Sequence, residues 1–104
     1  MYRYRAYQQV IYGRFNEFLK AWQELSAISR KKGWPEPSVW TPTVGTANEA
    51  VVEVEFQNLA AFQSYSDAFQ SDAEAMKLFR GTAEIVVQGS AHDEIVEQVT
   101  KPLA

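Results

Sequence analysis

The chain has 104 residues, of which 46% are hydrophobic and 22% charged, and its net charge at neutral pH is −3. These values fit one globular domain over residues 1–104 and exclude a disordered chain. The acidic balance excludes a strongly basic nucleic-acid binder, and no apolar run approaches the roughly 18 residues of a membrane helix. The lack of cysteine excludes a disulfide scaffold and a thiolate nucleophile, so we expect a cytoplasmic protein with neither nucleic acid nor a membrane as partner.

The first part of the chain predicts a strand, a helix and a second strand. Aromatic and β-branched residues over 2–11 are typical of a strand. Apolar residues recur every three or four positions over 14–32, which predicts an amphipathic helix, and Gly33 supplies its left-handed stop. Residues 38–45 predict a weaker strand, and Pro42 within it indicates the edge of a sheet.

A hairpin is predicted in the middle of the chain. Glycine and asparagine over 45–49 are typical of a turn, and valines alternate with glutamates over 50–56. Because the connection is short, this clear strand should pair with the preceding one. Asn58 follows directly and is suited to cap the next helix.

The second helical region is predicted to be broken. Ser71 followed by Glu74 forms a capping box, where we expect a new helix to begin. The helical spacing continues through 84–87, so we favour helix there, although a strand also fits this Glu-Ile-Val-Val run. Residues 91–99 predict the last strand, and 100–104 a short tail.

This order of elements predicts an α+β fold, the ferredoxin-like β-α-β-β-α-β plait. Its four-stranded antiparallel sheet has the order 4-1-3-2 and carries the helices on one face. The first strand then pairs with the third, so that Arg3 and Arg5 share the uncovered face with Glu53 and Glu55. We expect a homodimer through this face, with a simply solvated face as the alternative.

Two stretches resemble the dimeric α/β-barrel superfamily, and the second of them resembles its NIPSNAP-like branch. One consists of the Tyr-Arg-Ala-Tyr run at 4–7 and the Tyr-Gly-Arg-Phe run at 12–15. The other covers 44–62, with a Gly-x-x-Asn turn, an apolar strand and the start of a helix. The resemblance implies two plaits joined sheet to sheet into an eight-stranded barrel with the helices outside. The branch commonly has tryptophan or tyrosine near the end of the third strand, where this chain has Phe56.

The resemblance also implies a range of functions. Members of the superfamily include cofactor-independent monooxygenases, polyketide cyclases, lactone isomerases and haem-degrading enzymes, and their ligands generally sit between sheet and helices. This chain therefore resembles a cofactor-independent enzyme of the monooxygenase, isomerase or cyclase type, acting on a small apolar or aromatic molecule. One alternative is a non-catalytic ligand-binding or stress-related dimer. A second is a haem-binding protein that uses His92.

Few side chains in this sequence are suited to catalysis or to binding a cofactor. Tyr4, Tyr65 and His92 are the candidate catalytic residues, because a buried phenol can steer a ligand oxygen and histidine titrates near neutrality. An apolar ligand pocket is predicted to be lined by Trp22, Trp40, Phe56 and Phe69. Aromatic residues on helix faces also fill cores, and a lone histidine near a strand end also suits a surface position. The carboxylates are too few in one place for a metal site, and we expect no metal and no tightly bound cofactor.

Overall fold

The computed structural model describes residues 1–100, which form a four-stranded antiparallel sheet and three helices. The elements in chain order are β1 (Tyr2–Gln9), α1 (Phe15–Lys32), β2 (Ser38–Trp40), β3 (Glu49–Phe56), α2 (Leu59–Ser71), α3 (Ala73–Ala83) and β4 (His92–Glu97). The sheet order is β2-β3-β1-β4, which confirms the predicted ferredoxin-like plait. The tail predicted beyond Thr100 lies outside the described residues.

Strand pairing assigns every side chain to one of two sides of the sheet. Tyr4 lies opposite Val54 and Ala6 opposite Val52, on the side covered by the helices, here termed the helix-facing side. Val52 is only 1% exposed there. The intervening residues point to the other side, here termed the open side, as predicted: Arg3, Arg5, Glu53 and Glu55.

The core lies between the helix-facing side and the apolar stripe of α1. Phe18 and Leu25 from α1 pack with Val52 of β3 and with Val10 just after β1, and all four are buried. Removing one such side chain from water contributes roughly 1.5–3 kcal/mol. Hydrophobic burial on one side of the sheet therefore holds the helices in place.

Three helix ends test the predicted capping signals. α1 ends at Gly33, whose φ of 72° is left-handed, as predicted. Asn58 caps α2 by accepting a hydrogen bond from the backbone N–H of Ala61 at 2.8 Å, also as predicted. At the break, however, Ser71 is the last residue of α2, and Asp72 is the cap of α3.

Asp72 replaces the predicted Ser71 cap because its carboxylate makes two contacts at once. It accepts a hydrogen bond from the backbone N–H of Ala75 at 2.9 Å and pairs with the Lys32 ammonium at the end of α1. The Lys32 hydrogen bond, followed by the Ala75 N–H, holds the pKa of Asp72 below its ordinary value. This carboxylate therefore joins the end of α1 to the start of α3.

Residues 84–87 form neither the predicted continuation of the helix nor a full strand. Their backbone groups pair instead with the end of β1 and the residue after it. Val86 makes an isolated bridge with Val10, and the Val87 N–H donates to the Gln9 carbonyl at 2.7 Å. These long-range hydrogen bonds compete with the helical ones, so α3 ends before this stretch.

Three of the four strands, β1, β2 and β4, are shorter than predicted, whereas β3 begins one residue earlier than predicted. β2 covers three residues rather than 38–45, because Pro42 has no N–H to donate to the neighbouring strand. It lies at the edge of the sheet, as Pro42 predicts. Within residues 1–100, no helix is both long and apolar enough to cross a bilayer. The expected cytoplasmic location stays a prediction.

Candidate functional site

Two pockets lie on the described part of the molecule. The larger, about 700 Å³, is an outer groove between α1 and α3, and its walls mix acidic and basic side chains, including Arg14, Glu17, Glu74 and Lys77. The smaller, about 550 Å³, lies between the helix-facing side of the sheet and the helices, and is here termed the sheet–helix cavity. Small-molecule sites are mostly apolar with a few convergent polar groups, a description that fits the sheet–helix cavity better.

Aromatic rings from all three helices wall the sheet–helix cavity. Phe69 of α2 meets Phe79 of α3 edge to face at 5.7 Å between ring centroids. Trp22 of α1 meets Phe79 in the same way at 6.3 Å, and Tyr65 lies 5.8 Å from Phe69. Such contacts add roughly 0.5–1.5 kcal/mol beyond area burial, so this wall is ordered by its own packing.

One hydrogen bond joins two strands at the cavity. The Tyr4 hydroxyl donates to Oδ2 of Asp93 at 2.6 Å. β4 brings Asp93 there because it pairs with Ala6 of β1, which faces the helices. Burial, followed by the hydrogen bond to Asp93, raises the pKa of Tyr4 well above its ordinary range. Tyr4 is therefore a protonated donor at neutral pH.

Tyr65 is the second phenol in the cavity wall. Burial raises its pKa to about 12, so its hydroxyl also stays protonated at neutral pH. Within residues 1–100, no hydrogen bond engages this hydroxyl. Tyr65 can therefore donate to an oxygen atom of a molecule in the cavity.

The charged groups of the cavity lie at its exposed end. Arg80 of α3 and Asp93 of β4 line the cavity and are exposed, whereas Trp22, Val52 and Val54 are buried. Arg80 forms no ion pair with a carboxylate in the described part of the chain. The cavity therefore has an apolar floor and a polar mouth that carries one charge of each sign.

The structure brings four of the predicted site residues together and separates two of the pocket residues from them. Those that line the cavity are Tyr4, Trp22, Tyr65 and Phe69. Phe56 instead lies in the core at 4% exposure, packed against Phe62 and Tyr65. Trp40 is 61% exposed and lies opposite Val51 on the open side, because its neighbour Val39 is the residue that faces the helices.

His92 is also separated from the two tyrosines. It begins β4, as predicted, but points to the open side, where its ring stacks on Tyr7 at 4.6 Å with an angle of 2° between planes. Successive strand residues point to opposite sides, so His92 leaves the cavity as Asp93 enters it. Haem binding through His92 stays a prediction. A haem bound to this side chain would lie on the open side, outside the cavity. No cluster of three metal-ligating side chains occurs among residues 1–100.

Ion pairs and hydrogen bonds cover much of the open side. Arg3 binds Glu55 and Arg5 binds Glu53, each at 2.9 Å. A further hydrogen bond at 2.7 Å joins the Tyr7 hydroxyl to a carboxylate of β4, that of Glu94. The cross-strand charge pairing predicted from the sequence is confirmed.

The two charged residues of the cavity lining were not singled out from the sequence. Asp93 lies two positions before Ile95 in β4, so both side chains point to the same side of the sheet. Arg80 lies four residues after Met76, a spacing that places both on one face of α3. These signals identify a face, but they do not show that the two side chains converge.

Comparison with known proteins places the fold in a family. The NIPSNAP family model matches residues 2–102, whereas no curated protein matches the sequence. A solved structure of a protein from Agrobacterium tumefaciens is similar over the full length of both chains, with 16% identity and a TM-score of 0.78.

Two further solved structures are similar at comparable levels. An uncharacterized NIPSNAP domain protein from Burkholderia xenovorans has 15% identity and a TM-score of 0.76, with 98% of this chain and 99% of that chain covered. An antibiotic biosynthesis monooxygenase has 12% identity and a TM-score of 0.73, with 96% of this chain and 100% of that chain covered. At these identities the likeness shows the fold alone.

Proposed function

This chain belongs to the NIPSNAP family, and we propose that it binds a small apolar or aromatic molecule in the sheet–helix cavity. The observation that carries the proposal is a cavity of about 550 Å³ with aromatic walls and polar groups at one end. Cavities of roughly 300–1,000 Å³ with this composition are typical of small-molecule sites. The protonated hydroxyl of Tyr65 can donate a hydrogen bond that orients an oxygen atom of the ligand, whereas the hydroxyl of Tyr4 already donates to Asp93.

We propose further that the protein acts on this molecule as a cofactor-independent enzyme of the monooxygenase, isomerase or cyclase type. The similarity in fold to an antibiotic biosynthesis monooxygenase is compatible with this proposal. The cavity also supports it, because polar groups in an apolar, walled site can stabilise charge that develops on a substrate. A ligand-binding dimer without activity is the second candidate, since the same aromatic walls would serve binding alone.

The binding proposal can be tested by filling the cavity. Ala6 lines it from the centre of the sheet, so Ala6→Phe adds a ring inside the cavity. The probe is 1-anilinonaphthalene-8-sulfonate, an aromatic anion whose fluorescence rises in apolar sites. We expect the wild-type protein to bind the probe and Ala6→Phe to lose at least tenfold in affinity. Ala47→Phe, in an exposed loop, is the matched control and should bind normally. Equal binding by both variants, with native circular dichroism, would contradict the proposal.

We also propose that the open side pairs with a second copy of the chain. A sheet face without helices leaves Trp40 exposed beside the half-buried Val51. A two-fold axis would set this face against itself, and each protomer's arginines and glutamates could then meet opposite charges. Apolar residues at the centre of an interface, with polar groups around them, are typical of protein–protein contacts.

The oligomeric state tests this pairing. Val51→Arg places a charge on the open side between Trp40 and Tyr7, whereas Val44→Arg places one in a loop where the native side chain is 93% exposed. Light scattering at micromolar concentration should give twice the 11.8 kDa chain mass for the wild-type protein and for Val44→Arg. Val51→Arg should give the mass of a monomer. A monomeric wild-type protein would refute the proposal.

A further inference from the structure

Among the described residues that line the sheet–helix cavity, one side chain can accept a proton at neutral pH. The polar members of the lining are Tyr4, Gln8, Tyr65, Ser66, Gln70, Arg80 and Asp93. Amides and aliphatic hydroxyls are not bases at this pH, and arginine keeps its charge. Both phenols hold their protons, because burial raises their pKa values. This elimination leaves the Asp93 carboxylate.

Asp93 is held in a fixed position with one oxygen available. Its Oδ2 accepts the hydrogen bond from Tyr4 at 2.6 Å, a length typical of a strong, charge-assisted bond. No hydrogen bond from residues 1–100 engages its Oδ1. An ionised carboxylate has lone pairs on both oxygens, so Oδ1 can take a proton while Oδ2 keeps the group oriented.

A hydrogen-bond donor lines the same cavity from a different element. Tyr65 comes from α2, whereas Asp93 comes from β4, and the hydroxyl of Tyr65 has no partner in the described part of the chain. A carboxylate base at the mouth of a cavity, together with a phenol donor in its wall, is a combination that can remove a proton next to a carbonyl group. The base takes the proton, and the phenol stabilises the charge that appears on oxygen.

Building on the proposed binding function, we infer that Asp93 is the catalytic base of the cavity and that its substrate is an apolar, unsaturated ring carbonyl compound. The carbon next to the carbonyl group carries a hydrogen and is itself bonded to a carbon–carbon double bond, so that the enolate is conjugated with this double bond. As that C–H bond breaks, an O–H bond forms on Asp93. The C–H electron pair forms a carbon–carbon double bond, and the carbonyl π pair moves onto oxygen to give an enolate. Tyr65 donates a hydrogen bond to this oxygen, and Tyr4 is the positioning residue for Asp93.

The second half of the reaction returns the proton. Asp93 delivers it to a different carbon of the conjugated system, and the carbonyl group re-forms. The product is an isomer of the substrate, so no electrons are gained or lost and no oxidant is needed. Of the three reaction types proposed above, this chemistry favours isomerisation.

Hydrogen–deuterium exchange of 2-tetralone tests the base directly. This aromatic ring ketone loses its C1 proton signals in D₂O whenever it enolises, and NMR follows the loss. We expect the wild-type protein to accelerate exchange over a protein-free sample. Because a positioned general base contributes about 100-fold or more, Asp93→Asn should lower the protein-catalysed rate by that factor. Glu97→Gln removes a carboxylate that lies on the same strand but not in the cavity wall, and it should exchange at the wild-type rate.

Further variants separate catalysis from structure. Asp93→Glu keeps a carboxylate and should restore part of the rate that Asp93→Asn loses. Tyr65→Phe should lower the rate about 100-fold, as is typical when one oxyanion donor is removed. Tyr4→Phe should slow exchange at saturating ketone while the ketone's dissociation constant stays the same, which a purely structural role would not produce.

Two outcomes would overturn the inference, and they can be told apart. Saturation-transfer NMR reports in the same samples whether 2-tetralone binds. If the ketone binds but the wild-type rate equals that of Asp93→Asn, Asp93 is not the base, while the binding proposal stands. If the ketone does not bind, both proposals fail for this substrate class. Should Asp93→Asn not fold, as judged by circular dichroism, Asp93→Ser provides the same comparison.

Discussion

The two sides of one sheet hold different kinds of chemistry. On the helix-facing side, burial dominates: Val52 and Phe56 are almost fully covered, and aromatic rings leave a walled cavity beside them. On the open side, charge pairing dominates, with arginines and glutamates in contact across the strands. Neighbouring residues of one strand therefore lie in different environments: His92 points to the open side and Asp93 into the cavity.

This difference has a consequence for energetics. Buried apolar side chains contribute in proportion to the area removed from water, whereas exposed ion pairs are screened and contribute little. The helix-facing side should therefore determine stability and ligand binding. The open side should affect stability weakly and should act mainly through association with a second copy.

The largest expected effect comes from Phe56→Ala on the helix-facing side. This side chain is 4% exposed and packs against Phe62 and Tyr65, so its removal should lower the free energy of unfolding by about 3–5 kcal/mol. Glu55→Ala, one residue away on the open side, should cost less than about 1 kcal/mol. Urea denaturation of both variants under monomeric conditions measures the difference, and equal losses would break the distinction between the two sides.

The titration of Tyr65 provides a second test. Burial raises its pKa from 10.0 to about 12, because the fold disfavours the phenolate. The resulting contribution to stability is fully present below pH 10 and is lost as the pH rises through about 12. The difference in tyrosinate absorbance between the wild-type protein and Tyr65→Phe should show one group titrating near pH 12. A rise in this absorbance difference near pH 10 would mean that the Tyr65 hydroxyl is exposed to water, and would contradict the prediction.

A tyrosine on the open side titrates late for a different reason. The hydrogen bond to Glu94, more than burial, raises the pKa of Tyr7. Glu94→Gln should therefore lower the pKa of Tyr7 and leave the titration of Tyr65 unchanged. The same absorbance measurement, with Tyr7→Phe to assign the signal, checks this expectation.

A smaller effect is expected at the start of α2, which carries part of the cavity wall. Asn58→Ala removes the side chain that accepts from the Ala61 N–H, and should lower the free energy of unfolding by about 1 kcal/mol. Asn16→Ala, within α1, is the matched control and should cause no loss, because alanine is the better helix former. A thermal melt of each variant distinguishes them.

The smallest effect should come from the open side alone. Arg3 and Glu55 are both about half exposed, so a double-mutant cycle to alanine should give a coupling energy of roughly 0.2–1 kcal/mol in the monomer. The value should shrink at high salt, since exposed pairs are screened. A coupling above about 2 kcal/mol would show that this pair is shielded from water.

Local patterns in the sequence predict much of this fold. Alternation over β1 and β3 assigns Arg3 and Glu53 to the open side, and the Asn58 cap and Gly33 stop depend on neighbouring residues only. The position of Trp40 could not be predicted in this way. β2 has only three residues, so its register depends on pairing Val39 with Val52 rather than on any pattern of its own.

The candidate site depends on contacts between distant parts of the chain. Tyr4 and Asp93 are 89 positions apart, and their hydrogen bond exists only because β1 and β4 are neighbours in the sheet. Residues 84–87 show the same limit, because hydrogen bonds to the end of β1 override a helical pattern. The local spacing of apolar residues does not show which distant backbone groups will form hydrogen bonds with this stretch in place of the helical ones.

The three tryptophans allow the central claim to be tested in one NMR titration. Trp22 lines the sheet–helix cavity, Trp34 packs behind Tyr65, and Trp40 lies on the open side. When 2-tetralone is added at constant protein concentration, the indole signal of Trp22 should shift while that of Trp40 stays unchanged. A shift confined to Trp40 would place the ligand on the open side and contradict the account.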